Sequence, residues 1–143
     1  MVGLKDVFRS LNRNRVRYLL IGGLASVHHG VPRTSVDVDI AVAPTRRNVE
    51  HLLAAMRALG LEPEPETVED ILGTGGVTFT NERQLDALTD LPAASFAEVW
   101  RNRVSVSYGR LRVWVVSRED QVRLLRAAGR PKDVEDADLL DEP

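Results

Sequence analysis

Two aspartates, Asp37 and Asp39, interrupt an apolar run, Val36-Asp37-Val38-Asp39-Ile40-Ala41-Val42. In an extended chain alternate side chains share a face, so Val36, Val38, Ile40 and Val42 are predicted on one side and both carboxylates on the other. Like charges on adjacent same-face positions repel, and aspartate is a poor strand former, so the arrangement costs stability unless a cation lies between them. Magnesium suits it, because that ion takes hard oxygen ligands and is commonly held by a few carboxylates together with substrate phosphates. An anion site is encoded just upstream. The apolar run Tyr18 to Ile21 breaks at Gly22-Gly23 and leads into a proline-free segment, Leu24 to His29, with helical character. A strand that ends in glycines and feeds a helix directs unpaired backbone N–H groups at one spot and lets a phosphate approach the main chain. Phosphate at one end and Mg²⁺ at the other is what a nucleoside triphosphate requires. Each feature alone has a plainer reading, since D-x-D on an edge strand deters aggregation and Gly-Gly is commonly only a turn. Their order within one unit of strand, glycine turn, helix, bend and acidic strand favours a site.

The elements that must position these groups follow from local signals. Leu4, Val7, Phe8 and Leu11 recur at helical spacing ahead of the first strand. After the acidic strand, Thr45 can cap a helix to about Leu59 with Val49, Leu52, Leu53 and Met56 as its buried stripe and Gly60 as its stop. Residues 61–75, with two prolines and many acids, read as a surface connection carrying one helical turn from Val68 to Leu72. Gly76 to Thr80 and Gln84 to Leu88 read as strands of a hairpin around Asn81-Glu82-Arg83, and the second carries Asp86 between apolar neighbours as a candidate third carboxylate. A helix over 95–102 is predicted with Ser95 as cap and Phe96, Val99 and Trp100 inward, then a hairpin of Val104 to Tyr108 with Leu111 to Val116 across Gly109-Arg110. Ser117 opens a helix with Val122, Leu124 and Leu125 as its apolar stripe, Gly129 ends it, and Pro131 starts a last helix whose acids Asp133, Glu135 and Asp136 suit its positive end. Strands and helices in this order predict an α/β (α+β) domain.

Composition narrows the class. At 143 residues a single domain over 1–143 is expected, and 43% hydrophobic with 28% charged residues marks a soluble globular chain. No apolar run approaches the ~20 residues of a membrane span, and the charged start MVGLKDVFRS lacks a signal peptide's apolar core. The absence of cysteine excludes disulfides and thiolate metal sites, which makes the cytoplasm the expected location. A net charge of −2 does not announce a nucleic-acid binder. Arg9, Arg13, Arg15 and Arg17 do cluster, either as a solvated helix face or as an RNA contact, while residues 133–142 are strongly acidic. His28 and His29, being adjacent, cannot share a helix face, which argues against a joint metal role.

Gly22-Gly23, Arg33-x-Ser35-x-Asp37-x-Asp39-Ile40, an apolar-flanked Asp86 and the ending Gly129-Arg130-Pro131-Lys132-Asp133-x-x-Asp136 resemble, in this order along nearly the whole chain, the nucleotidyltransferase superfamily. Within it the sequence is similar to the small bacterial AbiEii-like group, which includes toxins of toxin–antitoxin pairs. The resemblance implies a mixed β-sheet flanked by helices that binds Mg²⁺ and an NTP and transfers a nucleoside monophosphate with release of pyrophosphate. It implies that Asp37, Asp39 and Asp86 hold the metals and do the catalysis, Asp86 as a bridging ligand or as base toward the acceptor hydroxyl. Two metals about 4 Å apart would activate the attacking oxygen and neutralise the leaving one. The implied nucleotide-binding set is Gly22, Gly23, Arg33, Ser35 and Lys132. Two of these keep alternatives: Arg33 binds phosphate or pairs with Asp37, and Lys132 reaches phosphate or answers the nearby acids. The implied acceptor is RNA, tRNA or protein, with an antitoxin as partner.

Two departures bear on activity. Many relatives have a serine where Gly23 stands, and AbiEii-like relatives tend to carry a lysine at the register of Leu125, where only Arg123 and Arg126 are near. The competing expectations are therefore an active nucleotidyltransferase, a protein that binds NTP or a partner without turnover, and an RNA-binding module resting on the N-terminal arginines.

Overall fold

The computed structural model describes residues 2–81 and 83–142. Helix α1 (Leu4–Arg13) buries Val7, Phe8 and Leu11 and leads into β1 (Tyr18–Ile21), whose four residues are all buried. Gly22, at φ +69°, turns the chain directly into α2 (Gly22–His28), so this helix starts at the glycines and not after them. Strand β2 (Val38–Val42) and helix α3 (Arg46–Arg57) follow. The expected stripe of α3 is buried, and the Thr45 hydroxyl accepts from the Asn48 N–H.

The acidic strand is two residues shorter than its alternation predicts. Its pairing with β1 stops at Ile21 opposite Asp39, because β1 has already given way to α2. Asp37 therefore sits at a bend ahead of β2, and Val36 is 79% exposed where an inward side chain was expected. Residues 61–75 are more ordered than their prolines suggest, forming β3 (Glu62–Glu64) and α4 (Val68–Thr74). Pro63 is tolerated because β3 is an edge strand, where a missing N–H costs no sheet bond.

Strands β4 (Gly76–Thr80) and β5 (Gln84–Leu88) pair antiparallel with Thr80 opposite Gln84, in keeping with the expected hairpin, although its Glu82 lies outside the described residues. Helix α5 (Phe96–Arg101) starts in the capping box of Ser95 and Glu98. The hairpin of β6 (Val104–Tyr108) and β7 (Leu111–Val115) turns on Gly109 at φ +63°. Helices α6 (Arg118–Ala128) and α7 (Pro131–Leu140) complete the chain, joined by Gly129 in the left-handed conformation with Pro131 in the first turn of α7. Thr45, Thr67, Ser95 and Ser117 each accept a helix N-terminal N–H, a cap worth ~1 kcal/mol apiece.

These strands form one seven-stranded mixed sheet in the order β3-β4-β5-β2-β1-β7-β6. The β2·β5 and β1·β7 pairs are parallel and the others antiparallel. Helices α1, α3 and α4 pack in one group and α2, α6 and α7 in another. The main core runs from Val7 through β1, β2 and α3 to Val113 and Val115, and a smaller cluster of Val31, Leu125, Ala137 and Leu140 holds α6 and α7 together. The expected mixed sheet flanked by helices is thus present, and no helix among the described residues is long and apolar enough to cross a membrane.

Candidate active site

The candidate site lies where β1 ends and β2 and β5 begin. Across the sheet Thr78, Asp86, Asp39 and Ile21 form one lateral row: Thr78 is paired with Asp86, Asp86 with Asp39, and Asp39 with Ile21. Neighbouring strands are ~4.8 Å apart and paired residues project to the same face, so the Asp39 and Asp86 side chains stand beside one another. Thr78 Oγ1 donates to Asp86 Oδ1 at 2.6 Å and Gln84 Nε2 donates to Oδ2 at 3.1 Å, which fixes the orientation of that carboxylate. Asp37 borders the same cleft from its bend. The three sequence-selected aspartates are therefore brought together, with Asp37 placed by a loop and not by strand alternation.

The glycines are required by close approach. A Cβ on Gly22 would lie 2.5 Å from Asp39 Oδ2, and one on Gly23 would lie 2.6 Å from Ser35 Oγ. Gly22 also needs its positive φ, which L side chains rarely adopt. Gln121, fully buried on α6, donates from Nε2 to the Gly22 carbonyl at 2.9 Å and to Ser26 Oγ at 3.0 Å. A carbonyl can only accept, so the amide orientation is settled and Oε1 is left as a buried acceptor with no partner. Sequence reading passed over Gln121; a glutamine among the apolar positions of a helix stripe was the available signal.

The cleft has a volume of about 430 Å³. Leu91, Pro92, Leu124 and Leu125 give it an apolar wall, and the α6–α7 junction brings Arg130, Lys132, Asp133 and Asp136 to its rim. Asp133 and Asp136 are buried and held by arginines, so they do more than answer the helix dipole: Arg130 Nε bonds Asp133 Oδ2 at 2.7 Å and Arg33 Nη1 bonds Asp136 Oδ2 at 2.8 Å. Arg33 thus pairs with Asp136 and not with Asp37, because the chain after α2 folds back against α7. Arg123 pairs with Asp120 and Glu98, and Arg126 with Asp138 and Asp141. Neither arginine lines the cleft, whereas Leu125 does. His29 Nε2 is 2.7 Å from the Val116 carbonyl, and the His28 ring meets His29 edge-on.

Burial, reinforced by the charges of Asp86 and Asp37, lifts the Asp39 carboxyl to about 6; Arg130 and Lys132 pull it down and do not prevail. Below the ordinary 3.8 this carboxyl is protonated folded or unfolded and carries no penalty. As pH rises through about 6 the folded protein must ionise it against its neighbours, and that stability is lost. Asp39→Asn is therefore expected to stabilise the metal-free protein at pH 7.5, by on the order of 1–2 kcal/mol after solvent screening, and to leave it unchanged near pH 3.5. Urea unfolding at the two pH values measures this, and an equal effect at both would show that ionisation is not the cause.

Among the described residues no group of three or more His, Cys, Asp or Glu side chains forms a ready-made metal cage. The donor set nevertheless fits Mg²⁺. It offers hard carboxylate oxygens only, and the chain gives up a side chain at Gly22 to admit one of them. Magnesium held by one or two carboxylates draws its remaining ligands from water and substrate phosphates.

No protein-family model matches the sequence, and no curated protein does. Several solved structures do match the fold, among them the following two. The lincomycin-bound crystal structure of the lincosamide antibiotic adenylyltransferase LnuA superposes with a TM-score of 0.67 at 17% identity, covering 99% of this chain and 98% of that one. The solution structure of the antibiotic-resistance factor ANT(2'')-Ia gives 0.64 at 18% identity, covering 94% of this chain and 78% of that one. Over almost its whole length, the chain has the fold of a nucleotidyltransferase.

Proposed function

We propose that this protein is a Mg²⁺-dependent nucleotidyltransferase. The observation that carries the reading is the in-register pair Asp39 and Asp86 beside the backbone of Gly22, on a fold shared with an adenylyltransferase. Asp37, Asp39 and Asp86 would hold the metal, two ions in the fullest form of the site. When bound, Mg²⁺ neutralises charge on the triphosphate. Gly22 and Gly23 leave the main chain open to phosphate, with Ser35 against Gly23 and Lys132 at the rim, and Gln121 braces Gly22 from behind. Asp86, held by Thr78 and Gln84, would bridge a metal or take the proton of an acceptor hydroxyl. That oxygen attacks the α-phosphorus, the bond from Pα to the bridging oxygen breaks, and pyrophosphate leaves.

Two different lines of support bear on the acceptor. The AbiEii-like resemblance points to RNA, tRNA or protein, with a toxin role and an antitoxin partner in the cytoplasm. The likeness to LnuA, an enzyme of nearly equal length named for an antibiotic substrate, favours a small-molecule hydroxyl. Transfer from α-³²P-labelled NTPs to tRNA, total protein and a small-molecule pool separates the two.

A second reading, NTP binding without turnover, is favoured by the engagement of Arg123 and Arg126 elsewhere and by Leu125 in the cleft wall. The test is thermal unfolding with each of the four NTPs, with and without Mg²⁺, for wild type and Asp37→Ala/Asp39→Ala. A metal-dependent gain of about 2.7 kcal/mol at a hundredfold excess over Kd, absent in the double variant, is expected for at least one NTP. Pyrophosphate release distinguishes turnover from binding alone, and no shift with any NTP would remove both readings.

A further inference from the structure

The two edges of the sheet are built differently. The β3 edge is three residues long, carries Glu62 and Glu64, and has Pro63 at its centre; length, charge and proline are the means by which proteins block strand pairing. The β6 edge, Val104-Ser105-Val106-Ser107-Tyr108, has five residues, no charge and no proline, and all but Val106 are exposed. Val104 and Tyr108 are among the large apolar side chains left in solvent, 37% and 44% exposed.

The backbone groups on the open side can be identified. Tyr108 faces Leu111 across the two-residue turn, and in such hairpins the pair flanking the turn is hydrogen-bonded. Alternation then assigns Tyr108, Val106 and Val104 to β7 and leaves the N–H and C=O of Ser105 and Ser107 outward. The strand opposite agrees: Trp114, across from Ser105, donates its N–H to the Tyr18 hydroxyl, and Arg112, across from Ser107, gives its carbonyl to Asn12. Neither group is spent on β6.

We propose that β6 is a self-association edge, on which a second copy of this chain adds its own β6 antiparallel about a two-fold axis at Val106. The edge is complementary to itself in that register. Ser105 meets Ser107 of the other copy and exchanges both backbone bonds, and the same holds at the symmetric position. On the face of the sheet where Val113 and Val115 are fully buried, Val104 meets Tyr108 and Val106 meets its counterpart, so the apolar stripe runs through the junction. Arg103 falls opposite Gly109, so no like charges are opposed across the new pair. The interaction does not depend on the nucleotidyltransferase reading.

The test uses the fact that the chain has no cysteine. In this register the two copies of residue 106 form a non-hydrogen-bonded pair, with Cα atoms about 4.5 Å apart, within disulfide range. Residues at 104 are separated by a four-residue offset and lie beyond it. Sedimentation of the wild type at about 100 μM, two decades above a micromolar Kd, is expected to give a dimer. Mild oxidation of Val106→Cys should cross-link it, and Val104→Cys should link at least tenfold more slowly. Ser105→Pro, which removes one outward N–H, should sediment as a folded monomer with unchanged circular dichroism. A monomeric wild type overturns the proposal, as does equal cross-linking at 104 and 106 or a dimer undiminished by Ser105→Pro; if Ser105→Pro does not fold, the cysteine pair decides.

Discussion

Asp39→Asn is expected to lower nucleotidyl transfer at least about a thousandfold, ~4 kcal/mol of barrier, in a protein that is more stable than wild type at neutral pH. The two halves of this result have one cause. Asp39 is flanked by Asp86 in the next strand and by Asp37 at the bend, and burial adds to their repulsion, so its charge is unfavourable in the folded chain without a cation. A charge kept where it destabilises is explained by what it binds. Asparagine keeps the shape and removes the charge, which relieves the fold and weakens the metal site together. Pyrophosphate release under saturating Mg²⁺ and NTP measures the first effect and urea unfolding the second. Undiminished release would remove Asp39 from the chemistry whatever its stability showed. Mg²⁺ and a proton compete for the same carboxylate, so Mg²⁺-dependent stabilisation by NTP is also expected to fade as pH falls through about 6.

Gly22→Ala is expected to cost more stability than any other single methyl added at the site. Two penalties coincide there. The backbone stands at φ +69°, a region that costs an L residue about 1–2 kcal/mol, and the new Cβ would meet Asp39 Oδ2 at 2.5 Å. The carboxylate can rotate away, but Asp39 Cβ, 3.0 Å from the new methyl, belongs to a paired strand and cannot withdraw without disturbing the register of β2 with β1 and β5. Relief by movement of Gly22 would strain its carbonyl bond to Gln121. A loss of about 3–4 kcal/mol follows from adding strain to overpacking, together with loss of NTP binding. Gly30→Ala is the control: its φ is +111°, but a Cβ there would meet nothing within 4 Å, so it should lose the backbone term only and still respond to nucleotide. Equal losses at the two glycines would mean that the contact with Asp39 contributes nothing.

Much of the architecture was legible in the sequence because its signals act over a few residues. The caps at Thr45, Ser95 and Ser117, the glycine stop at 129 and the proline start at 131 bound their helices as read, since each supplies or removes one hydrogen bond within a turn. A continuous apolar run identified β1 and short strand-like runs flanking turns identified β4, β5, β6 and β7, and carboxylates out of place on apolar strands singled out Asp39 and Asp86 for the reason that makes them costly.

The tertiary structure decided which of these elements lie together. Asp86 stands beside Asp39 because β5 runs parallel to β2, a pairing set by burial of the whole sheet and not by the residues around either aspartate. The early end of β1, together with the end of the β2–β5 pairing at Val38, left Val36 and Asp37 without a partner strand and moved Asp37 off the strand, which alternation within its own segment could not reveal. Arg33 found Asp136 across 103 residues. Gln121 acquired its role from the carbonyl of Gly22 on a different helix. Capping and periodicity are properties of a contiguous stretch of chain, whereas partners separated along the chain are chosen by how the sheet closes around its core, and it is those partners that turn the separate carboxylates and glycines into one site.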